Sequence, residues 1–337
     1  QAGLDFVIEA ERLGVDSVWV PEFWGYDALA PIAAAAAVTD RIRLASGIVQ
    51  LGTRTPAMLA MTALSLQRIS EGRFILGLGT SGPQVMEGWH GVPFSKPVTR
   101  TRETIEIIRM VMSGERLRYD GDVYQLPLAD GQGRALRCAA PPVEVPIYIA
   151  SLGPKNLHLT GELAQGWIGN SFFCETADTF FDSLRSGATS AGRSFGELDL
   201  TVSVGVEITD DVEEAGRRHA DGFAFTFGAM GSASTNFYNE AFTRQGWGDA
   251  VAEVQRLWLA GDREAAAAAV PTEIGLQQNL IGPPHEVKRR LRDYRDCGVT
   301  TLRLGPAGDT LDERLDNLGQ LMDLVATVNA EPIISPQ

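Results

Sequence analysis

The residues best equipped for chemistry crowd into Ser81-Gly-Pro-Gln-Val-Met-Glu-Gly-Trp-His-Gly91. Glu87 and His90 stand three residues apart, and either can act as a general acid or base. His90 can equally spend its ring on a loop carbonyl. Just upstream, Gly77-Leu-Gly79-Thr-Ser-Gly82 matches a GxGxxG pattern after an apolar run. Pro83 follows at once, and no amphipathic helix begins at the third glycine. No helix N-terminus is therefore set beneath a pyrophosphate, and the pattern reads instead as a turn-rich loop after a strand. Its glycines let backbone approach a flat ligand closely.

Other candidates sit where short apolar runs end. Val20-Pro-Glu22-Phe-Trp-Gly-Tyr26 offers a carboxylate among aromatics, which either wall a ring-binding pocket or cap a core. Ala45-Ser-Gly47-Ile-Val49 places glycine before a β-branched residue, the mark of a bulge or of simple strand termination. Ser151-Leu-Gly-Pro-Lys155-Asn156 joins a strand to a helix that Pro154 starts. Free N–H groups there, beside Ser151 and Lys155, suit a phosphate or merely cap the helix. Gly169-Asn-Ser171 could complete that cradle. Arg54, Lys96 and Arg100 could meet an anionic tail or lie in solvent. Gly228-Ala-Met-Gly-Ser232 and Asn236-Phe-Tyr-Asn239 belong to a lid or to a structural excursion.

Composition narrows the function classes. The net charge of −14 repels phosphate backbones, so nucleic acid is not an expected partner. No apolar run approaches the roughly 20 residues that span a bilayer, and no membrane partner is expected. Gln1 to Asp5 do not resemble a signal peptide. The three cysteines, Cys138, Cys174 and Cys297, are far apart in sequence and odd in number, which fits free thiols in a reducing cytoplasm. The four histidines show no HxH or HExxH spacing and the cysteines no CxxC, so no metal is expected.

These candidates must be positioned by the elements between them. Helical spacing over 4–13, 28–38, 57–69, 98–112, 154–163, 176–191, 284–297 and 311–328 alternates with strand-like runs at 17–20, 43–49, 73–78, 145–149, 166–169, 198–208 and 300–304. A hairpin at 117–126 turns at Asp120-Gly121, outside the main pattern. Strict βα alternation implies a parallel sheet covered by helices. Seven strands, with an eighth expected before Gln1, make a (β/α)8 TIM barrel; the alternative is an open doubly wound sheet. One domain is expected over 1–337, with a mostly helical insertion at about 211–270 before the last strand.

Glu11-Arg-Leu-Gly-Val-Asp-Ser-Val-Trp-Val20, Arg54-Thr-Pro-Ala-Met58, Gly72-Arg-Phe, Pro146-Ile-Tyr-Ile-Ala150, Gly153-Pro-Lys-Asn156, Asn236-Phe-Tyr-Asn239 and above all Gly77 to Pro93 resemble the luciferase-like F420-dependent oxidoreductases, relatives of methylenetetrahydromethanopterin reductase. The resemblance runs over nearly the whole chain. It implies a (β/α)8 barrel with an insertion and the deazaflavin F420 as cofactor, with FMN as the alternative. It implies hydride transfer to or from a small organic substrate; the alternatives are an FMN-dependent monooxygenase or a barrel that binds flavin without turnover. It further implies a non-prolyl cis peptide at Gly47–Ile48. The cofactor is expected against Ser46, Gly47 and Ile48, with Gly79, Thr80, Ser81 and Gly82 near the ring. Its phosphate is expected on Ala150, Ser151, Leu152, Gly153 and Lys155, with Gly169, Asn170 and Ser171. Glu87, His90 and Glu22 are the candidate catalytic groups. Relatives that act on sugar phosphates carry an Asp-His pair where this chain has Glu22 and Phe23, which argues against that activity. Homodimers are common in the resembling family.

Overall fold

Proline and glycine punctuate apolar runs throughout the chain, and the computed structural model, which describes residues 2–230 and 236–332, breaks at those points. Helix α1 (Ala2–Arg12) leads to β1 (Ser17–Val20), α2 (Leu29–Ala36), β2 (Arg43–Ser46), β3 (Val49–Gln50), α3 (Pro56–Ile69) and β4 (Phe74–Gly79). A six-residue π-helix (Gln84–Trp89) precedes α4 (Pro97–Met112). Then come β5 (Tyr119–Asp120), β6 (Gln125–Leu126), β7 (Ile147–Ala150), α5 (Pro154–Leu163), β8 (Gly166–Gly169), α6 (Asp178–Ser190) and β9 (Asp199–Ile208). Five helices follow: α7 (Val212–Asp221), α8 (Phe223–Ala229), α9 (Phe237–Phe242), α10 (Gly248–Leu259) and α11 (Arg263–Ala268). The described chain closes with α12 (Thr272–Gln277), β10 (Leu280–Gly282), α13 (Pro284–Asp296), β11 (Thr301–Pro306) and α14 (Leu311–Asn329). Proline opens α3, α4, α5 and α13, where its missing N–H costs nothing and its φ is already helical. Thr310 and Glu313 form a reciprocal cap at the start of α14.

Among the described residues nine strands join one parallel sheet, in the order β1-β2-β4-β7-β8-β9-β10, with β3 on β4 and β11 on β9. The expected alternation therefore yields the parallel α/β sheet, and the sheet curls as a barrel does. Arg303 of β11 stacks its guanidinium over the ring of Trp19 of β1, 284 positions away in the chain but only 5.5 Å in space. Among the described residues β1 and β11 do not pair, and a cleft of about 1310 Å³ separates them. The strand expected before Gln1 lies outside the described residues. Of the sheet's strands, β3 and β10 were not expected as separate elements.

Side chains alternate across the sheet with period two. Leu44, Phe74, Leu76, Leu78, Ile147 and Ile149 face outward into one buried cluster with α2, α3 and α4. Trp167, Leu200, Val202 and Val204 do the same under α6, α13 and α14. The inward set is smaller: Ala45, Ile75, Tyr148 and Ile168, with Trp19, Ile48 and Ala150 packed on it. Helices α8 to α11 bury a third cluster around Phe227 and Phe242. The hairpin β5–β6 is antiparallel and stands apart from the main sheet, its turn running from Gly121 to Tyr124. All three cysteines are free thiols, and the Cys297 thiol donates to Tyr294 O at 3.2 Å. Among the described residues no helix is long and apolar enough to cross a membrane.

Candidate active site

Parallel strands deliver their C-terminal ends to one rim, so every segment singled out at a strand end arrives on the same face. Glu22 follows β1, Gly47 and Ile48 follow β2, Thr80 to Gly82 follow β4, Ser151 to Lys155 follow β7, and Asn170 and Ser171 follow β8.

The wall of the site is built where β2 meets β4. The Ser46 hydroxyl donates to Gly77 O and accepts from Gly77 N, both at 2.9 Å. A side chain at Gly77 would place its Cβ 1.9 Å from Ser46 O, so only glycine permits this approach. Ser46 is fully buried and its hydroxyl is spent on this pairing, so it shapes the wall and presents no free donor to a ligand. The chain leaves β2 at Ser46, passes through a cis peptide at Gly47–Ile48, and resumes pairing as β3. Gly79 lies against Ile48 and Ala150, which leaves a low backbone surface there.

Arg303 reaches this wall from β11. Its Nη2 donates to Gly169 O at 3.1 Å and to Asn170 Oδ1 at 3.2 Å. A Cβ at Gly47 would lie 3.5 Å from its Nη1. Its Nε is enclosed and has no partner. Among the described residues it forms no ion pair, and burial pushes its guanidinium down to about 10. Its carrier strand has Leu302 and Leu304 on the outer face, so Arg303 points inward between Trp19 and Asn170.

A second group organises the early rim. The buried Glu22 carboxylate takes both Arg54 nitrogens, Nη1 on Oε1 at 2.9 Å and Nη2 on Oε2 at 2.8 Å, and accepts from Ala28 N. The hydrogen bonds that Arg54 donates to Glu22 hold its guanidinium above its usual range, against the opposing pull of burial. Gln50 Nε2 donates to Glu22 O and Phe23 O, so its Oε1 is free to accept. His90 Nε2 lies 2.9 Å from that oxygen and therefore carries the proton, leaving Nδ1 as the acceptor. Glu87 is exposed and accepts from Phe94 N at 2.9 Å, pinning the end of the loop. Ser81 takes a left-handed backbone, φ 56°, in the same loop.

The late rim is tied to the helical segment. Ser151 is buried, its hydroxyl shared with Thr160 Oγ1 at 2.8 Å, and its carbonyl accepts from Trp167 Nε1. Lys155 is exposed in the first turn of α5. Arg244 Nη2 donates to Leu152 O at 2.6 Å, its Nε is enclosed without a partner, and burial draws its guanidinium below the usual range while Glu240 opposes this. Gln245 binds Ser171 O through Nε2 and Phe173 N through Oε1. Ser171 is also left-handed, φ 56°.

The expected segments thus converge, but their polar side chains divide. Glu22 is given to Arg54, so that carboxylate braces the rim and has no oxygen directed to a reacting atom. Ser151 is given to Thr160. Lys96 pairs with Asp122 at the surface, Arg100 stacks on Tyr124, and Arg54 is paired with Glu22. Gly231 and Ser232 lie outside the described residues, while Asn236 caps α9 by accepting from Tyr238 N and Asn239 N. Sequence reasoning missed Gln50, Arg244, Gln245 and Arg303. For Arg303 a signal was present: a lone arginine between two leucines in a buried-strand pattern.

The family model of the luciferase-like monooxygenases matches residues 1–301. A Mycobacterium tuberculosis protein that carries the name of a coenzyme F420-dependent oxidoreductase is 36% identical over 307 residues, 88% of each chain. The 5,10-methylenetetrahydromethanopterin reductase of Methanolobus tindarius is 29% identical over 315 residues, 92% of each chain. The coenzyme F420-dependent tetrahydromethanopterin reductase of Methanopyrus kandleri superposes with a TM-score of 0.77 at 23% identity, covering 94% of this chain and 93% of that one, which shows a shared fold.

Proposed function

As the chain belongs to the luciferase-like monooxygenase family, we propose that this oxidoreductase transfers a hydride between the deazaflavin F420 and a small organic substrate. The observation that carries the reading is a low backbone surface at Gly47 and Gly79 flanked by two guanidinium groups, Arg303 and Arg244, whose Nε atoms lack partners. A flat, anionic cofactor fits such residues. Gly47, Ile48 and Gly79 to Gly82 would hold its ring. Leu152, Gly153 and Lys155, with Arg244 and Gly169 to Ser171, would hold its phosphate. When bound, F420 supplies the hydride chemistry.

The chain's own residues bind, orient and manage a proton. Glu22 and Arg54 fix the backbone to which Gln50 is anchored. Gln50 fixes His90 in the tautomer protonated on Nε2, so Nδ1 is the atom that accepts a substrate proton. Glu87 holds Phe94, and Phe94 lies 6.3 Å from Phe237 of α9, so the loop and the helical segment together shield the rim from water.

Anaerobic titration with F420 and with FMN tests the assignment. Binding of F420, with hydride exchange and no oxygen consumption, is expected. Tight binding of FMN alone, with oxygen-dependent turnover, would refute F420 in favour of a monooxygenase. Binding without turnover of any offered substrate would leave a flavin-binding barrel.

A further inference from the structure

Helix α3 has two working sides. Leu59, Ala63 and Leu66 turn to the sheet in the buried cluster, whereas Ala57, Met61, Ser65 and Arg68, at helical spacing, share the outer side. Across from that outer side stands the segment 134–143, and a groove of about 890 Å³ lies between them. It runs along a helix of 14 residues, about 21 Å long. Buried Leu64 and Val111 form its floor, and Leu117, Leu126, Leu136 and Val143 line its sides. The far wall is fixed to the fold. Leu117 N donates to Leu136 O at 2.9 Å and Arg116 Nη1 to Ala135 O at 3.2 Å, and a Cβ at Gly114 would lie 3.3 Å from Pro142 Cγ. Met61 is nevertheless 54% exposed and Leu136 76%, so apolar surface is left open on both sides of a preformed groove.

Two features define the occupant. Among the described residues that line the groove there is no aromatic ring; the lining is aliphatic, with the thiol of Cys138. Such a lining suits a flexible hydrocarbon chain better than a flat ring system, which gains from stacking. Arg68, Arg134 and Arg137 also line it, and among the described residues none of the three makes an ion pair or a side-chain hydrogen bond. Glu115 is the one carboxylate in the lining, and it accepts from the Ser113 hydroxyl at 2.9 Å. In a chain of net charge −14 this rim is locally cationic, and guanidinium forks match a carboxylate. A two-fold contact would lay the patch on itself and set arginines against arginines, so a second copy of the chain fits it poorly. We propose that the groove binds a free long-chain carboxylate, its hydrocarbon along α3 and its head group at the arginines. This site lies outside the strand-end rim and does not rest on the cofactor reading.

The experiment titrates the full chain by calorimetry with octanoate, decanoate and dodecanoate below their micellar concentrations, with decanol as the uncharged control. Saturable binding is expected, tightening about threefold for each added methylene. Decanol should bind about tenfold more weakly than decanoate, the low end for a lost charge-assisted hydrogen bond. Arg134→Gln combined with Arg137→Gln should weaken decanoate about tenfold and leave decanol within about threefold. Met61→Glu should weaken both. These side chains are exposed, so the variants should keep the parent's circular dichroism, and the chain-length series needs no variant at all. Decanoate should also slow alkylation of Cys138 by iodoacetamide, read by peptide mass spectrometry, and leave Cys174 and Cys297 unchanged. Absence of saturable binding would overturn the proposal. So would binding that ignores these substitutions or leaves Cys138 unprotected, by placing the ligand elsewhere, and equal affinity for decanoate and decanol, by making the arginines bystanders. Co-sedimentation with anionic vesicles without binding of free decanoate would overturn it in favour of a membrane surface. A dimer in sedimentation that Met61→Glu dissociates would overturn it in favour of a second copy.

Discussion

Replacing Glu22 by glutamine separates bracing from catalysis at the early rim. The carboxylate is 7% exposed and Arg54 24%. A carboxamide offers one acceptor oxygen, so one guanidinium nitrogen would face an NH2 group and Arg54 would lose its counter-charge. Breaking a buried ion pair from one side costs about 3–5 kcal/mol. Here Arg54 keeps some solvent and has Asp27 at 4.0 Å, which reduces the expected cost to about 2 kcal/mol. In a chain of this length that is a fall of about 3 °C in Tm. A thermal and urea cycle of Glu22→Gln, Arg54→Met and the double variant should return a coupling energy of about 1.5–3 kcal/mol. Cofactor affinity of Glu22→Gln at a permissive temperature should stay within about threefold of the parent, since its own backbone carbonyl still anchors Gln50. Zero coupling would refute the brace. An unchanged Tm with hydride transfer abolished would return Glu22 to the proton chemistry.

Arg244→Met should weaken a phosphate-bearing cofactor about tenfold or more and leave a ring lacking phosphate unaffected, as read by parallel fluorescence titrations. Gly77→Ala should cost about 3 kcal/mol or more, because the new Cβ meets the Ser46 carbonyl of a fixed strand, whereas Gly88→Ala, with open space around it, should be nearly neutral in urea unfolding. The Arg102 hydrogen bond holds Glu162 below its usual 4.5, so its stabilising contribution is complete above that pH and disappears as pH falls through the lower folded value. Glu162→Gln should therefore flatten the loss of stability between about pH 5 and pH 3 in urea unfolding followed by circular dichroism.

The sheet and its covering helices were legible because apolar residues repeat with periods of two and 3.6, and because prolines mark helix starts. Pro154 to Leu163 and Gly166 to Gly169 fall where the pattern puts them. Strands of two or three residues, such as β3 and β10, contain less than one readable period and escaped notice. Segments of the candidate site were legible for a topological reason: in a parallel sheet, strand ends share a rim. Partner choice was not. Glu22 and Arg54 are 32 positions apart, Arg303 and Asn170 are 133 apart, and no local spacing encodes which carboxylate meets which guanidinium.

Net charge is the clearest case where a sum misleads. At −14 the chain should repel a polyanionic cofactor, yet binding responds to the local field and not to the total. Much of the acidic excess stands on outer helix faces, where Asp221, Asp182 and Asp293 pair with nearby arginines in solvent. Such pairs contribute little at a distance, because water and salt screen them. Arg303 and Arg244 differ in both respects: each has an enclosed nitrogen, and neither forms an ion pair among the described residues. A charge withdrawn from water is screened less than one in a solvated pair, so its field reaches farther. The strongly acidic composition and an anion-accepting site are therefore compatible, provided that the few cations facing inward are the ones without partners.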